Sequence, residues 1–471
     1  MQAVERSTSS SRRRIRTGIA LGALLTITVA CSNRESDDAA TTAAPATDAP
    51  AATSAPTDSD APPATEAPAV PMFGTMESPC GPATDAGVPT IADGQNGGDT
   101  LKLGTQNDHG YEGAPGLTIE MLDAAKAFAG WCNEQGGIRG LQIDVVDLDG
   151  KLFNVPARFH ECGMVSIPGY TVSTAAAEGN GKVQPLPNPA YVKPIGWLKW
   201  GAETYPDAVK NTAIVYSDVT ITKINADQIA AGMDAVGGYE VTQMIAYSPT
   251  GEANWVPFAQ KLKDGDVSTM AFVGEPGNLI LLYKAMREVG YVPELVFADA
   301  NHYTEQMVAE GNATATEGFR VRTAYAPFEE ADQFPGMRSY LDMMAAHNPN
   351  GRIAGLGLQA TSAYLLFATA ANKCLDSNNN VLERECLLAA AKTITSWNAG
   401  GLHTESNPAE GLPPECGIIM GIVDGEWERI FPELGSADDN GGGWHCDDPG
   451  IAELAGDFGD TTQGIDPTRE N

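Results

Sequence analysis

Positive charge is scarce in this sequence. Its 471 residues hold 29 Lys+Arg against 61 Asp+Glu, a formal net charge of −32. A field of that sign repels phosphate backbones, which excludes nucleic acid as a partner and disfavours adsorption to anionic membrane surfaces. Catalytic signatures are missing as well. There is no Walker loop, no Gly-x-Ser-x-Gly elbow and no His-Glu-x-x-His, and the six histidines at 109, 160, 302, 347, 403 and 445 are not spaced for a metal site. Gly355 to Ala360 has the spacing of a dinucleotide fingerprint, but the preceding Asn348–Ala354 does not read as the strand that fingerprint needs. Asp376, Asn378, Asn380 and Glu383 resemble a calcium loop without its central glycine, and they fit a disulfide-closed loop better. The expectation is no catalytic residue, no cofactor and no metal.

What remains is 42% hydrophobic, enough for a large core, and long enough for two or three compact units of roughly 100–200 residues. Arg12, Arg13, Arg14 and Arg16 precede a short apolar run from Ile19 to Ala30, too short to span a bilayer as a helix. The run ends Ile27-Thr28-Val29-Ala30-Cys31, which resembles a bacterial lipoprotein processing site. Residues 1–30 are therefore expected to be a signal peptide and Cys31 the lipidated residue, with Ser11-Arg12-Arg13 leaving twin-arginine export open. From Ala39 to Val70 every residue is Ala, Thr, Pro, Ser, Asp, Glu or Val. That composition cannot offset its ordering entropy, so 31–79 reads as a disordered tether holding a soluble module near the outer face of the membrane.

The eight cysteines agree with export to an oxidising compartment. Lipidation of Cys31 leaves seven. The nearest pairs along the chain are Cys374 with Cys386 and Cys416 with Cys446. Cys80 with Cys132 makes a third, and Cys162 is left over.

Beyond residue 100, strand and helix patterns alternate. Leu101–Thr105 opens a strand, and Leu117, Met121, Leu122, Ala125, Phe128, Ala129 and Cys132 share one helical face that Gly136-Gly137 ends. A strand follows at Leu141–Val146, then a helix at Tyr191–Tyr205. The chain next cycles through strand Thr212–Tyr216, helix Thr222–Val236, strand Tyr239–Ala246, helix Trp255–Lys263, strand Val267–Val273, helix Leu279–Val289 and strand Leu295–Ala298. Such a run predicts right-handed βαβ units in a parallel sheet. The strands end in polar, glycine-containing loops, including Gln106–Gly110, Ser217-Asp218, Gly274-Glu275-Pro276 and Asp299-Ala300-Asn301. Ligands bind at such carboxyl ends in open α/β sheets.

Leu103-Gly104-Thr105, the helix ending Asn133-Glu134-Gln135-Gly136-Gly137-Ile138-Arg139-Gly140, the stretches Ala271–Gly274 and Leu281–Gly290, and Ile418–Val423 with Asp424-Gly425-Glu426-Trp427 together resemble the branched-chain amino acid (leucine-binding) proteins of ABC importers. The resemblance spans Leu101 to Pro432. It implies an α/β chain of two Rossmann-like lobes with parallel sheets, the type I periplasmic-binding fold, joined by three crossovers. Lobe one falls at 100–188 and 302–403, lobe two at 189–301 and 404–435, and an acidic, Gly-rich tail at 436–471. In that family a helix, a strand and another helix follow the strand ending near Asp147. Here only Leu152–Cys162 stands there, room for one short helix, so lobe one is expected to lack a strand and a helix. The remaining link still allows a βαβ crossover, which needs about a dozen residues.

The resemblance places a small solute between the lobes, where hinge closure buries it and a permease reads the closed form. An amino-acid-like zwitterion asks for hydroxyl or N–H donors at its carboxylate and an acid at its ammonium. Ser173 and Thr174, in the stretch matching a family contact loop, and Tyr111 are candidates for the first role. Glu275, Asp218 and Asp299 are candidates for the second, and the strand-end loops add Asp108 and Asn301. The implied function is a lipid-anchored, extracytoplasmic solute-binding protein of an ABC importer, with an amino acid or related compound as its cargo and the permease as its partner. A sensory or adaptor lipoprotein that keeps the fold without import is the alternative, and an extracellular enzyme a third class.

Overall fold

Thr100–Thr105 (β1) and Gln142–Asp147 (β2) run parallel, from Thr100 opposite Gln142 to Thr105 opposite Asp147. Between them lies helix α1, Ile119–Glu134, whose Leu122, Ala125, Phe128, Ala129 and Cys132 recur at helical spacing and are at most 7% exposed. Phe128 has no exposed surface, so its burial contributes about 1.5–3 kcal/mol. The helix stops where the Gly137 N–H returns to the Cys132 carbonyl at 2.8 Å. Gly137 has φ +79°, and a Cβ there would lie 2.1 Å from the Leu141 carbonyl oxygen, so only glycine fits. These coordinates belong to a computed structural model that describes residues 70–92, 100–111, 115–149 and 163–469. The expected signal peptide, Cys31, most of the tether, the Leu152–Cys162 helix and Cys162 itself lie outside the described residues.

A larger sheet follows. Thr212–Ser217 (β3), Val241–Tyr247 (β4), Thr269–Val273 (β5), Leu295–Ala298 (β6) and Phe319–Thr323 (β7) pair in parallel in the order β4-β3-β5-β6-β7. Cys416–Val423 (β8) and Glu426–Phe431 (β9) add an antiparallel edge beside β7. The crossover helices are Thr220–Val236 (α2), Val256–Asp264 (α3) and Pro276–Glu288 (α4). Alternation along β3 sorts the two faces: Ala213 and Val215 join the main core, while Ile214 and Tyr216 pack with Leu198, Met233 and Phe297 in a second cluster. Helices Pro335–His347 (α5), Gly355–Ser377 (α6) and Arg384–Ala391 (α7) return to α1, with α6 against both α1 and α7.

The chain thus passes three times between the small-sheet and large-sheet lobes, near residues 185–195, 323–335 and 403–416. Two passes bond to one another, with Ala326 N–H to Leu402 O at 3.0 Å and Thr404 N–H to Ala324 O at 2.9 Å. The third is held by the Ser406 hydroxyl, which donates to Pro185 O at 2.6 Å.

The expected strands and helices form within a few residues, with three differences. Tyr191–Tyr205 is a short strand, Val192–Pro194, followed by helix Gly196–Thr204, because Pro194 cannot sit inside a helix and Ile451–Glu453 pairs with that strand. Phe319–Thr323 lay in the expected lobe-one stretch 302–403, yet its ladders to β6 and β8 put it in the large sheet. The acidic residues after 436 are ordered against the fold, with Trp444 and Phe458 7% and 2% exposed. Disulfides join Cys80–Cys132, Cys374–Cys386 and Cys416–Cys446. Among the described residues no helix is long and apolar enough to cross a membrane.

Candidate functional site

In the large sheet, chain order reverses between β3 and β5, because β4 is added on one side of β3 and β5 on the other. At such a switch point the connections diverge and leave a crevice outside the strand ends. Ser217 ends β3, and Gly274 and Glu275 follow β5. Glu275 is the N-cap position of α4, with Pro276 fixing the first turn, and its side chain makes no capping bond. Tyr247, at the end of β4, stacks on Phe272 with ring centroids 5.5 Å apart and is 2% exposed. Its buried hydroxyl fills the hollow at Gly274, where a Cβ would come within 1.8 Å of it.

The crevice opens into a cleft of about 2470 Å3 between the two lobes. From the small-sheet lobe, Asp108, Tyr111, Glu120 and Tyr170 line it; from the large-sheet lobe come Ser217, Tyr247, Glu275, Asp299, Asn301 and Arg322. Asp108 is positioned by its N–H, which donates to Thr118 Oγ1 at 3.0 Å, and its loop is tied to the end of β2 by the Gly110 N–H to Asp149 Oδ1 bond of 2.9 Å. Asn301 Nδ2 donates to the Gly274 carbonyl at 3.1 Å, which joins the ends of β6 and β5.

The sequence-derived candidates divide on their geometry. Seven of the eight line the cleft: Asp108, Tyr111, Ser173, Thr174, Glu275, Asp299 and Asn301. Asp218 does not. Its neighbours Ser217 and Val219 line the cleft, while Asp218 is exposed and only its backbone N–H is engaged, to Tyr247 O at 2.8 Å. Ser173 and Thr174 already have backbone partners: Ser173 Oγ accepts the Ala176 N–H at 3.3 Å as a helix cap, and Thr174 Oγ1 donates to the Phe458 carbonyl.

Charge in the cleft is uneven. Burial, then the charges of Glu120 and Asp108, push the Glu275 carboxyl up to about 7. Glu120 is 6% exposed and is likewise raised by burial, with Arg352 Nη1 3.5 Å away opposing the shift. Asp108 is raised by burial and then by Asp149. Glu275 on one lobe is therefore held against ionisation by burial and by two carboxylates of the other lobe. At another part of the lining, Arg322 stands 3.9 Å from Asp299, and Lys193 Nζ donates to Asn188 Oδ1 at 2.7 Å. Burial pushes the Lys193 ammonium down to about 8, against the pull of Asp299 and Glu178. His302, 1% exposed, is held down near 4 by burial and is neutral at pH 7. No group of three or more His, Cys, Asp or Glu side chains able to hold a metal occurs among the described residues.

A family model described as "Periplasmic binding protein" matches residues 165–426, more than half of the chain. The chain belongs to this family. Solved structures agree on its type I fold at low identity. A fatty acid ABC transporter substrate-binding protein from Thermomonospora curvata superposes with a TM-score of 0.59 at 16% identity, over 78% of this chain and 97% of its own. A branched-chain amino acid ABC transporter protein from Thermus thermophilus with bound valine gives 0.59 at 13%, over 73% and 98%. A leucine-binding protein from Thermotoga maritima gives 0.54 at 12%, over 70% and 97%. Among curated proteins none matches the chain in sequence.

As a periplasmic binding protein the chain presents wall residues that sequence reasoning passed over. Tyr247 and Tyr170 look like core aromatics in sequence, and only the strand-end position of Tyr247 hints at more. Glu120 sits in the first turn of α1, where an acid is ordinarily read as a dipole partner. Arg322 needed the true placement of β7, since its 16% exposed side chain reaches the cleft only from a strand of the large sheet.

Proposed function

We propose that this chain is the solute-binding component of an ABC importer and that its cargo is a small polar organic solute carrying an ammonium group, an amino acid or a close relative. The observation that supports this reading is Glu275 at the switch point of the large sheet, beside Tyr247 in a cleft whose other lobe contributes Asp108 and Glu120, the two charges that oppose its ionisation. A cation beside Glu275 offsets the Asp108 and Glu120 charges that oppose its ionisation, which lets the lobes approach. Arg322 and Lys193 offer donors for a carboxylate. Cys31 anchors the protein by its lipid to the outer face of the cell membrane, and the tether lets the binding unit reach its permease. The protein performs no chemistry on its cargo. Mass spectrometry of small molecules retained through native purification tests the reading: an amine-bearing solute supports it, and a retained solute without a cationic group overturns it.

A further inference from the structure

The family match ends at residue 426, but the ordered chain continues to 469 and returns to the other lobe. Its first half is fastened to the large-sheet lobe and to the crossover segments. Arg429 Nη1 donates to Gly443 O at 2.7 Å, and Trp444 packs edge-on to Phe334 while its indole N–H reaches Ala324 O at 3.2 Å. His445–Cys446 pairs antiparallel with the start of β8, where a disulfide joins Cys416 to Cys446. Ile451–Glu453 then pairs with Val192–Pro194, and Phe458 is buried against Tyr191 with ring centroids 5.2 Å apart.

Its second half is held by the other lobe. Asn180 Nδ2 donates to Asp466 O at 2.9 Å, and the Asp466 N–H donates back to Asn180 Oδ1 at 2.9 Å. Arg469 reaches Met164 O at 3.1 Å and meets Glu385 of α7 through Nε at 3.1 Å and Nη2 at 2.5 Å. Between the two fastenings, Gly459, Asp460, Gln463 and Gly464 line the cleft.

We propose that residues 436–469 form a strap that walls one side of the cleft and latches the two lobes together through the Asn180–Asp466 and Glu385–Arg469 contacts, so that wide opening of the cleft requires this latch to release. The two fastenings are unequal. The large-lobe end has a covalent bond and a strand pairing on β8, backed by a second pairing and two buried aromatics on the crossover segments. The small-lobe end has no covalent bond: hydrogen bonds from Asn180 and Thr174, close packing of Gly464 on Ala175, and an ion pair whose Glu385 is 65% exposed and open to screening by solvent. Release therefore occurs at the small-lobe end. This inference does not depend on which solute is bound.

The test uses the solute-free full chain with Cys31 and Cys162 replaced by serine and nitroxide labels at Lys126→Cys on α1 and Lys261→Cys on α3, both exposed. Electron–electron distance measurements compare this protein with Asn180→Ala/Glu385→Ala and with the milder Arg469→Gln, and hydrogen exchange follows residues 445–469 in each. In the double variant, amides of 462–469 should exchange about tenfold faster or more, the loss of one to two net hydrogen bonds, while 445–453 keep their protection. The distance distribution should gain a longer component, smaller for Arg469→Gln. Faster exchange with an unchanged distribution would show that the strap does not restrain the lobes. Unchanged exchange in both variants would show that the latch contacts hold nothing. Either result overturns the proposal.

Discussion

Replacing Glu275 by glutamine should stabilise the empty protein at pH 8 and do so several-fold less at pH 5. In the folded protein burial and the charges of Glu120 and Asp108 raise the carboxyl from 4.5 to about 7. Below pH 4.5 the group is protonated in both the folded and unfolded chain, so it contributes nothing to the pH dependence. Between 4.5 and 7 the unfolded chain ionises while the folded one keeps its proton, and stability falls as pH rises; above 7 the full penalty is present. A shift of that size corresponds to about 3 kcal/mol, reduced to about 1–3 kcal/mol by the water that reaches a partly exposed side chain. Glutamine keeps the shape and removes the charge. Urea unfolding of the wild type and Glu275→Gln at both pH values, extrapolated linearly to water, gives the two differences directly. A gain of similar size at pH 5 and pH 8, or a loss at pH 8, would refute the reasoning that burial and the neighbouring carboxylates oppose ionisation of Glu275.

Glu330→Ala should cost about 3–5 kcal/mol in the same assay, because it leaves Arg429, 7% exposed and bidentate to Glu330 at 2.8 and 2.5 Å, as an uncompensated buried charge. Cys31→Ala should release the protein from the membrane fraction; retention unchanged by that substitution would end the lipoprotein reading. Denatured but unreduced mature protein should show one reactive thiol on mass-tag titration, Cys162, since three disulfides occupy six of the eight cysteines and the lipid a seventh. Three free thiols would contradict the pairing.

The order of strands and helices was legible because each βαβ unit carries its own signal: a buried run such as Thr212–Ser217, a polar stop, then a 3.6-residue period. The position of Glu275 at the cleft was legible for the same local reason, as a carboxylate standing after an apolar strand and before a helix. Asp218 has the same local signature, yet it does not line the cleft, since the side of a strand-end loop that faces a ligand depends on neighbouring strands. The lobe assignment of Phe319–Thr323 failed because alternation identifies a strand without naming its partners, which here lie on β6 and β8, the latter nearly 100 residues away. The strap was invisible for a related reason. Its Gly- and Asp-rich composition reads as a tail, whereas its order comes from a disulfide, backbone pairing and two aromatics that find their partners only in the folded chain.

The central claim is that a cationic group of the solute sits on Glu275. Isothermal titration of the retained solute into the wild type and Glu275→Gln at pH 8 tests it most directly. One site per chain is expected, weakened in the variant by about 1.5–3 kcal/mol, roughly tenfold to a hundredfold in Kd, as for loss of a charge-assisted hydrogen bond. Equal affinity in the two proteins would contradict it.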